Sequence, residues 1–562
     1  MAHGFLDYTD NGLDADPTTL RSIYDNSLVV LYRLLFVFYA EARGLLPVQE
    51  NSRYREDYSL YAIKRDVARR LEEWHARSTR TAVLWGQLRE LFRLIDRGDP
   101  PLQVATFNGG LFDPDKHPFL DEHSVGDAHL ERALDLIARV HGEFVDYRDL
   151  ATRHLGTIYE GLLEYHLVRL PEPETDENGT QFTVDLLNDK GERKSSGSFY
   201  TPDYIVEHIV EASLSPLIEK VRGEHTDEAE RAEAILRLNV LDPAMGSAHF
   251  LVEATDYLAG ELARLNVPAA SMGVAEGALD FGYWKRRVAQ TCIYGVDLNP
   301  LAVELAKLSL WISTASKNRP LSFLDHHLRQ GNSLVGARLN AIKEARTPTG
   351  PRRRTKKGDE TQTTLLDLPA FRVTMSGAVA VMARIEARPA LTVQDVKAQE
   401  EAYIALHEEL IRKYGRTLNV IAAIQYGLTL HDSLRKVLFA LAAGGDDGVM
   451  LPEVKRLLTK AQARAEHLRF FHWEVEFPDV FFSPAGESRG TEAGFDAVVG
   501  NPPYDVLAAR ERGEPVAVVQ EFLSYARSDP ILAPVLGLKS TFSDCFLHRP
   551  WSSDVPVRPL AL

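Results

Sequence analysis

A chain of 562 residues with 45% hydrophobic content has the composition of an ordinary globular protein and a length that suits roughly three or four domains. Its two cysteines, Cys292 and Cys545, are too few for a disulfide framework or a cysteine zinc site, so a reducing, cytoplasmic setting is expected and no metal is indicated. The formal net charge of −16 excludes attraction to nucleic acid through the overall field, and any phosphate contact has to be local.

Residues 1–7 lack a basic segment followed by an apolar run, so no signal peptide is expected. The most apolar stretch, residues 27–40, is interrupted by Arg33 and closed by Glu41 and Arg43. It reads as a buried helix capped near Asp25 or Ser27 and stopped at Gly44, too short and too charged to span a bilayer, and no membrane partner is expected. Apolar positions recur at helical spacing in residues 67–95 and 128–165, which makes residues 1–170 a helical N-terminal domain. Within it, Phe107 to Asp113 carries the turn signals of a structured loop. Residues 171–197 read as a connecting loop or hairpin around the strand-like piece at 182–186.

Strand and helix then alternate through residues 198–337, with helices at 204–218, 248–265 and 300–316 and strands at 236–242, 292–297 and 323–330. That alternation predicts a parallel sheet covered by helices. Residues 338–466 break it with a charged linker and long helical stretches, the pattern of a helical insertion. The linker's basic run, Arg352-Arg353-Arg354-Thr355-Lys356-Lys357, reads as a solvated loop or a phosphate contact. The sheet is expected to resume within residues 467–538, through 470–477 and 498–500, ahead of an irregular tail at 539–562.

Several motifs sit at the strand ends. Residues 239–250 form a buried strand ending in Asp242, a tight Pro243 to Gly246 turn and a helix start, the arrangement by which a parallel sheet presents a nucleotide-like ligand. Gly246 permits close backbone approach and the helix start offers N–H donors; a plain strand-to-helix connection is the other reading. The three-glycine dinucleotide spacing is absent, so a nicotinamide fits poorly. Asp297 ends the next strand where a carboxylate can take both hydroxyls of a ribose. Asn332 offers an amide for a base edge or is simply a turn residue, while His249 and the aromatics of 470–477 read as packing. Most informative is Asn501-Pro502-Pro503-Tyr504. The exocyclic amine of a base is a poor nucleophile because its lone pair is delocalised into the ring. Carbonyls of Asn501 and Pro502 can accept hydrogen bonds from that amine, the prolines fix them in place, and Tyr504 can stack on a base drawn out of its duplex. A strand-ending turn without chemistry is the alternative.

In this order, the segment from Gly197 through Tyr200-Thr201-Pro202, then Asp242-Pro243-Ala244-Met245-Gly246, Asp297-Leu298-Asn299-Pro300 and Asn501 to Tyr504 resemble the N6-adenine DNA methyltransferases of the gamma arrangement. Residues 31–41, 155–161 and 471–478 are similar to the large methylases of type IIG restriction-modification and phage-exclusion systems. The resemblance implies an α/β, Rossmann-like, S-adenosylmethionine-dependent methyltransferase sheet with a helical N-terminal domain and a helical insertion. It implies that Tyr200, Thr201 and Pro202 wrap the methionine end of the cofactor, that Asp242, Pro243 and Gly246 lie near its amino-acid moiety, that Asp297 holds its ribose, and that Asn332 lies near its adenine. Asn501, Pro502, Pro503 and Tyr504 would receive a flipped adenine. Double-stranded DNA is the implied partner, with a specificity or restriction subunit as a further one.

Two departures from the family's pattern stand out. Ala248 occupies a position where the family carries glycine, so its methyl is expected to crowd the cofactor. Only 58 residues (562 minus 504) follow Tyr504, so an incomplete sheet and a C-terminally truncated product are expected. A target-recognition domain and a nuclease motif are not found, since Glu192-Arg193-Lys194 and Glu453-Val454-Lys455 lack an upstream Pro-Asp. The alternatives are a protein-glutamine or RNA methyltransferase, or an inactive truncated DNA-binding or assembly subunit.

Overall fold

Strands that are apolar on both faces need helices above and below, and the centre of this protein is built that way. The structure is a computed structural model that describes the chain except residues 74–76, 106, 108–109, 151, 164, 176–180, 189–200, 276, 317–318, 343–364, 388–389, 391, 431, 444–451, 504–515, 529–531 and 533–562. In the parallel sheet, Val240–Asp242 (β1) pairs with Ile293–Asp297 (β2), β2 pairs with Leu328–Gln330 (β3), and Ala497–Val498 (β4) pairs with the other edge of β1. The order is therefore β3-β2-β1-β4, with every pairing parallel. β1 is buried throughout and β2 in all but its last residue.

Helices fill the crossovers. His249–Ala263 and Phe281–Thr291 lead from β1 to β2, and Pro300–Thr314 leads from β2 to β3. Asp280 and Asn299 cap the latter two by accepting the N–H groups of Tyr283 and Leu301, which explains why both helices start where they do. The parallel, helix-covered sheet expected from the alternation is thus present, in the Rossmann-like α/β arrangement that the resemblance implies.

Two expectations about elements need correction. Residues 470–477 are not a strand of this sheet. Phe470 makes a single parallel bridge to Asn332, after which the chain coils into the short helices Trp473–Glu476 and Pro478–Phe481. The aromatic alternation there reflects a cluster, in which Phe471, Trp473 and Phe477 pack with Tyr294 and Phe495. A one-turn helix buries those rings together, whereas a strand would send alternate side chains to opposite faces.

The apolar N-terminal helix is also longer than expected. It runs Pro17–Ala42 and is capped by Asp16, which accepts the N–H groups of Thr18 and Thr19. By length and hydropathy it could cross a membrane, yet 72% of its most apolar window is buried inside this protein. Arg33, which interrupts the run, is buried too: its Nε donates to the Leu111 carbonyl at 2.7 Å and its guanidinium lies 5.2 Å from the centre of the Phe92 ring. Tyr39 donates from its hydroxyl to the Ile312 carbonyl at 3.0 Å, tying this helix to Pro300–Thr314 beside the sheet.

Tyr165–Thr175 and Gln181–Asn188 form an antiparallel hairpin between the N-terminal helices and the first helix of the α/β region, Asp203–Glu224. Between β3 and β4 lie Pro369–Glu386, Val393–Leu410, Arg416–Gln425, Asp432–Ala442 and Pro452–Leu468, with a π-turn at Ile411–Gly415. Their buried side chains, among them Phe371, Met382, Tyr403 and Tyr414, make a second core. The basic run 352–357 and the tail 539–562 lie outside the described residues. After β4 the described residues add the helix Val516–Ser528 and no further strand.

Candidate functional site

Strand order reverses at β1: β2 and β3 lie on one side of it and β4 on the other. In open α/β sheets a crevice forms at such a point, outside the carboxyl ends of the strands. The register pairs Val240 with Ala497 and Leu241 with Val498, and the Val499 N–H donates to the Leu241 carbonyl at 2.9 Å. Asp242 and Gly500 consequently leave the sheet side by side. Gly500 has φ +152°, and a Cβ there would stand 2.6 Å from Asp242 Oδ1, so only glycine lets the two turns meet. Asn501, Pro502 and Pro503 follow directly, all half-buried.

On the β1 side, Asp242 is 2% exposed and its Oδ1 accepts the Ala244 N–H at 3.0 Å. Burial pushes its carboxyl up to about 8; the Ala244 N–H opposes the rise and the charge of Asp297 adds to it. The turn beyond is tied to β2 at two points. Met245 N–H donates to the Val296 carbonyl at 3.1 Å, and Gly246 N–H donates to Asp297 Oδ2 at 2.9 Å. Gly246 has φ +51°, and a Cβ there would meet nothing within 4 Å, so open space lies over this turn. Asp297 accepts the Asn299 N–H at 2.8 Å on its other oxygen. Burial raises its pKa, while the N–H groups of Asn299, Gly246 and Leu298 pull it back.

Asn332 is half-buried and serves as a turn residue, its Oδ1 accepting the Leu334 N–H at 3.1 Å while its N–H donates to the Arg469 carbonyl at 2.7 Å. Thr201 and Pro202 stand at the start of Asp203–Glu224. His249 Nε2 lies 3.3 Å from Asp203 Oδ1, so this histidine bridges that helix start to the helix following Gly246. Tyr200 and Tyr504 fall outside the described residues.

Ala248 does not behave as expected. Its residue is 0% exposed within the main core, so the methyl is spent on packing rather than on crowding a ligand. Its departure from the family's glycine shows in the backbone instead, at φ +63°.

The structure therefore gathers Asp242, Pro243, Gly246, Asp297, Asn501, Pro502 and Pro503 at the carboxyl ends of three adjoining strands. Sequence reading missed Gly500, which it places as the last residue of a strand; its signal was a glycine immediately ahead of a proline-rich turn. Beyond Asp297 opens a cavity of about 1320 Å3, bordered by Leu298, Asn299, Arg469 and, from the N-terminal helix, Tyr24 and Asp25. A buried acid, an open glycine turn, a second acid holding that turn and a rigid amide-bearing turn can together hold a nucleoside with a charged substituent beside a planar amine.

Residues 186–341 match the family described as N-6 DNA Methylase, and residues 428–525 match the Eco57I restriction-modification methylase family. A protein of Methanocaldococcus jannaschii named "Putative type II restriction enzyme and methyltransferase" is 23% identical over 560 residues, 88% of this chain and 42% of that protein. The adenine-specific methyltransferase PglX of Streptomyces coelicolor is 28% identical over 166 residues, 28% of this chain and 12% of that protein. The chain thus spans less than half the length of these curated relatives. Among solved structures, the type IIL restriction-modification enzyme MmeI in complex with DNA aligns over 57% of this chain and 40% of that one, with 15% identity and a TM-score of 0.36.

Proposed function

We propose that this chain, which matches the N-6 DNA Methylase family over residues 186–341 and the Eco57I restriction-modification methylase family over residues 428–525, transfers a methyl group from S-adenosylmethionine to N6 of an adenine flipped out of double-stranded DNA, in a cytoplasmic restriction-modification or phage-defence system. The observation that carries the reading is the meeting of the Asp242 turn and the Asn501 turn on adjacent parallel strands where the strand order reverses. A specificity or restriction subunit belongs to the same proposal.

Two features of the site fit the cofactor: the open space over Gly246 and the paired acids at the ends of β1 and β2. When bound, S-adenosylmethionine supplies a methyl on a sulfonium, already electrophilic enough for direct transfer. Asp297 retains lone pairs beyond those taken by Gly246 and Asn299, enough to accept from ribose hydroxyls. Asp242 offers its carboxyl toward the amino-acid end, and Tyr200, Thr201 and Pro202 would wrap the methionine part. Asn332 would lie near the cofactor's adenine. Asn501 and Pro502 accept hydrogen bonds from the target amine and draw its lone pair out of the ring, Pro503 stiffens the turn, and Tyr504 stacks on the base. The amine becomes acidic once methylated, so its second proton leaves without a strong base.

The test is transfer of labelled methyl to unmodified DNA, with RNA and ribosomal protein as competing substrates. Asn501→Ala is expected to lower transfer by about 10²–10³ with cofactor binding kept, whereas Asp297→Ala weakens cofactor binding first. Equal loss of binding in both variants, or transfer to RNA or protein in preference to DNA, would overturn these roles.

A further inference from the structure

A second group of ligand-type side chains lies away from the crevice. His326 and His327 precede Leu328, the first residue of β3, and so sit at the amino end of that strand, whereas Asp242 and Asp297 stand at carboxyl ends. Both imidazoles are 0% exposed and their ring centres are 4.0 Å apart. His326 Nε2 lies 3.2 Å from the Gln290 carbonyl, which fixes it as the donor nitrogen and leaves Nδ1 as a bare acceptor. That Nδ1 makes no hydrogen bond, and the ring nitrogens of His327 and Oε1 of Glu386 are buried with no hydrogen bond of good geometry, their contacts being the approach of His327 Nε2 to Glu386 Oε1 and a backbone contact of His327 to Ile293. Glu386 is the last residue of Pro369–Glu386, the first α-helix between β3 and β4 among the described residues. So many bare polar atoms in one place call for an explanation, because buried polar groups are nearly always paired.

Their geometry supplies one. One donor atom from each of His326, His327 and Glu386 lies within 4.8 Å of the other two. His327 Nε2 and Glu386 Oε1 are 3.3 Å apart, close to the edge of a tetrahedron around a metal with bonds of about 2.0–2.1 Å. The His326 to Gln290 contact is the backbone-carbonyl support that metal-bound imidazoles commonly have.

We propose that His326, His327 and Glu386 bind one Zn2+ that fastens the helical segment after β3 to the sheet. Two imidazole nitrogens favour zinc over magnesium or calcium, which take oxygen ligands. The ion is structural: its donors lie at the opposite end of β3 from Asn332, and their burial means it enters as the chain folds.

The test is the zinc content of the full chain, expressed in zinc-supplemented medium and purified without chelators or a metal-affinity column. One equivalent is expected, lost in His327→Gln and in Glu386→Gln. Stripping the wild-type protein with a strong chelator is expected to lower its unfolding midpoint, and added Zn2+ to restore it, a result that does not depend on either variant folding. Zinc-free wild-type protein would overturn the proposal, as would an equivalent that persists in both variants, or a midpoint indifferent to stripping and refilling.

Discussion

Asp242 illustrates how one buried side chain sets a property of the whole protein. Its carboxyl, ordinarily near 3.8, is pushed up to about 8 by burial. The folded state keeps this proton where the unfolded chain has lost it, so its contribution to stability is fully present below about 3.8 and is lost as pH rises toward about 8. Asp242→Asn keeps an acceptor for the Ala244 N–H and has no proton to lose. Over that window the unfolding midpoint should therefore fall less in the variant than in the wild type; identical slopes would place the pH dependence elsewhere. Ala248 makes a different case. A left-handed alanine costs roughly 1–2 kcal/mol, and a buried methyl returns about 0.8 kcal/mol. Ala248→Gly should stay within about 1 kcal/mol of wild type in urea unfolding, while Ala248→Val, β-branched at φ +63°, loses more than about 2 kcal/mol. A heavily destabilised glycine variant would show that the methyl matters more than the backbone. Asp242, Gly246 and Asp297 were legible in sequence because acids and glycines at strand ends have few other uses. The direction of the Ala248 methyl was not, since a residue letter carries no φ, and Gly500 was missed because its reason is a carboxylate more than two hundred residues away.

Between elements, the turn after β3 and the segment 470–473 lock together through close backbone approach. Phe471 N–H donates to the Val335 carbonyl at 2.8 Å, His472 Nδ1 accepts the Ala337 N–H at 3.1 Å, and Trp473 Nε1 donates to the Ser333 carbonyl at 3.1 Å. A Cβ on Gly336 would stand 1.8 Å from the Phe471 carbonyl oxygen, with no flexible side chain to yield. Gly336→Ala is therefore expected to cost more than about 3 kcal/mol, at the severe end for a single substitution. Gly377 is the control: it is exposed in Pro369–Glu386, a Cβ there would meet nothing within 4 Å, and alanine should add about 0.5–1 kcal/mol. Equal thermal midpoints for the two variants would mean the turn can shift. The same interface explains what sequence patterning could and could not reach. β1, β2 and the helices around them follow local periodicity. Residues 470–477 alternate like a strand only because their rings converge on Tyr294 and Phe495, partners far away in sequence.

Across the molecule, one hydrophobic cluster runs without a break from the N-terminal helices into the sheet, taking in Phe36, Leu130, Val206, Leu251, Leu305 and Val499. The helix Pro17–Ala42 is the hinge of that continuity, buried along most of its length and bonded through Tyr39 to Ile312. Its counterpart Pro300–Thr314 is buried at Leu305, Leu308, Trp311 and Ile312. Each such side chain, left facing water, forfeits about 1.5–3 kcal/mol. A handful of them outweighs the roughly 5–15 kcal/mol by which a native protein is stable. A fragment beginning at residue 198 would bare that helix, so it should lack a cooperative unfolding transition or aggregate, while the full chain melts this core in a single calorimetric step. A soluble fragment with a transition close to that of the full chain would disprove the shared core. The candidate site depends on this core as well: Pro300–Thr314 begins at the Asn299 cap, two residues beyond Asp297, and the N-terminal helix lends Tyr24 and Asp25 to the cavity beside it. Removing the N-terminal helices should therefore abolish cofactor binding even though they contribute none of the strand-end acids.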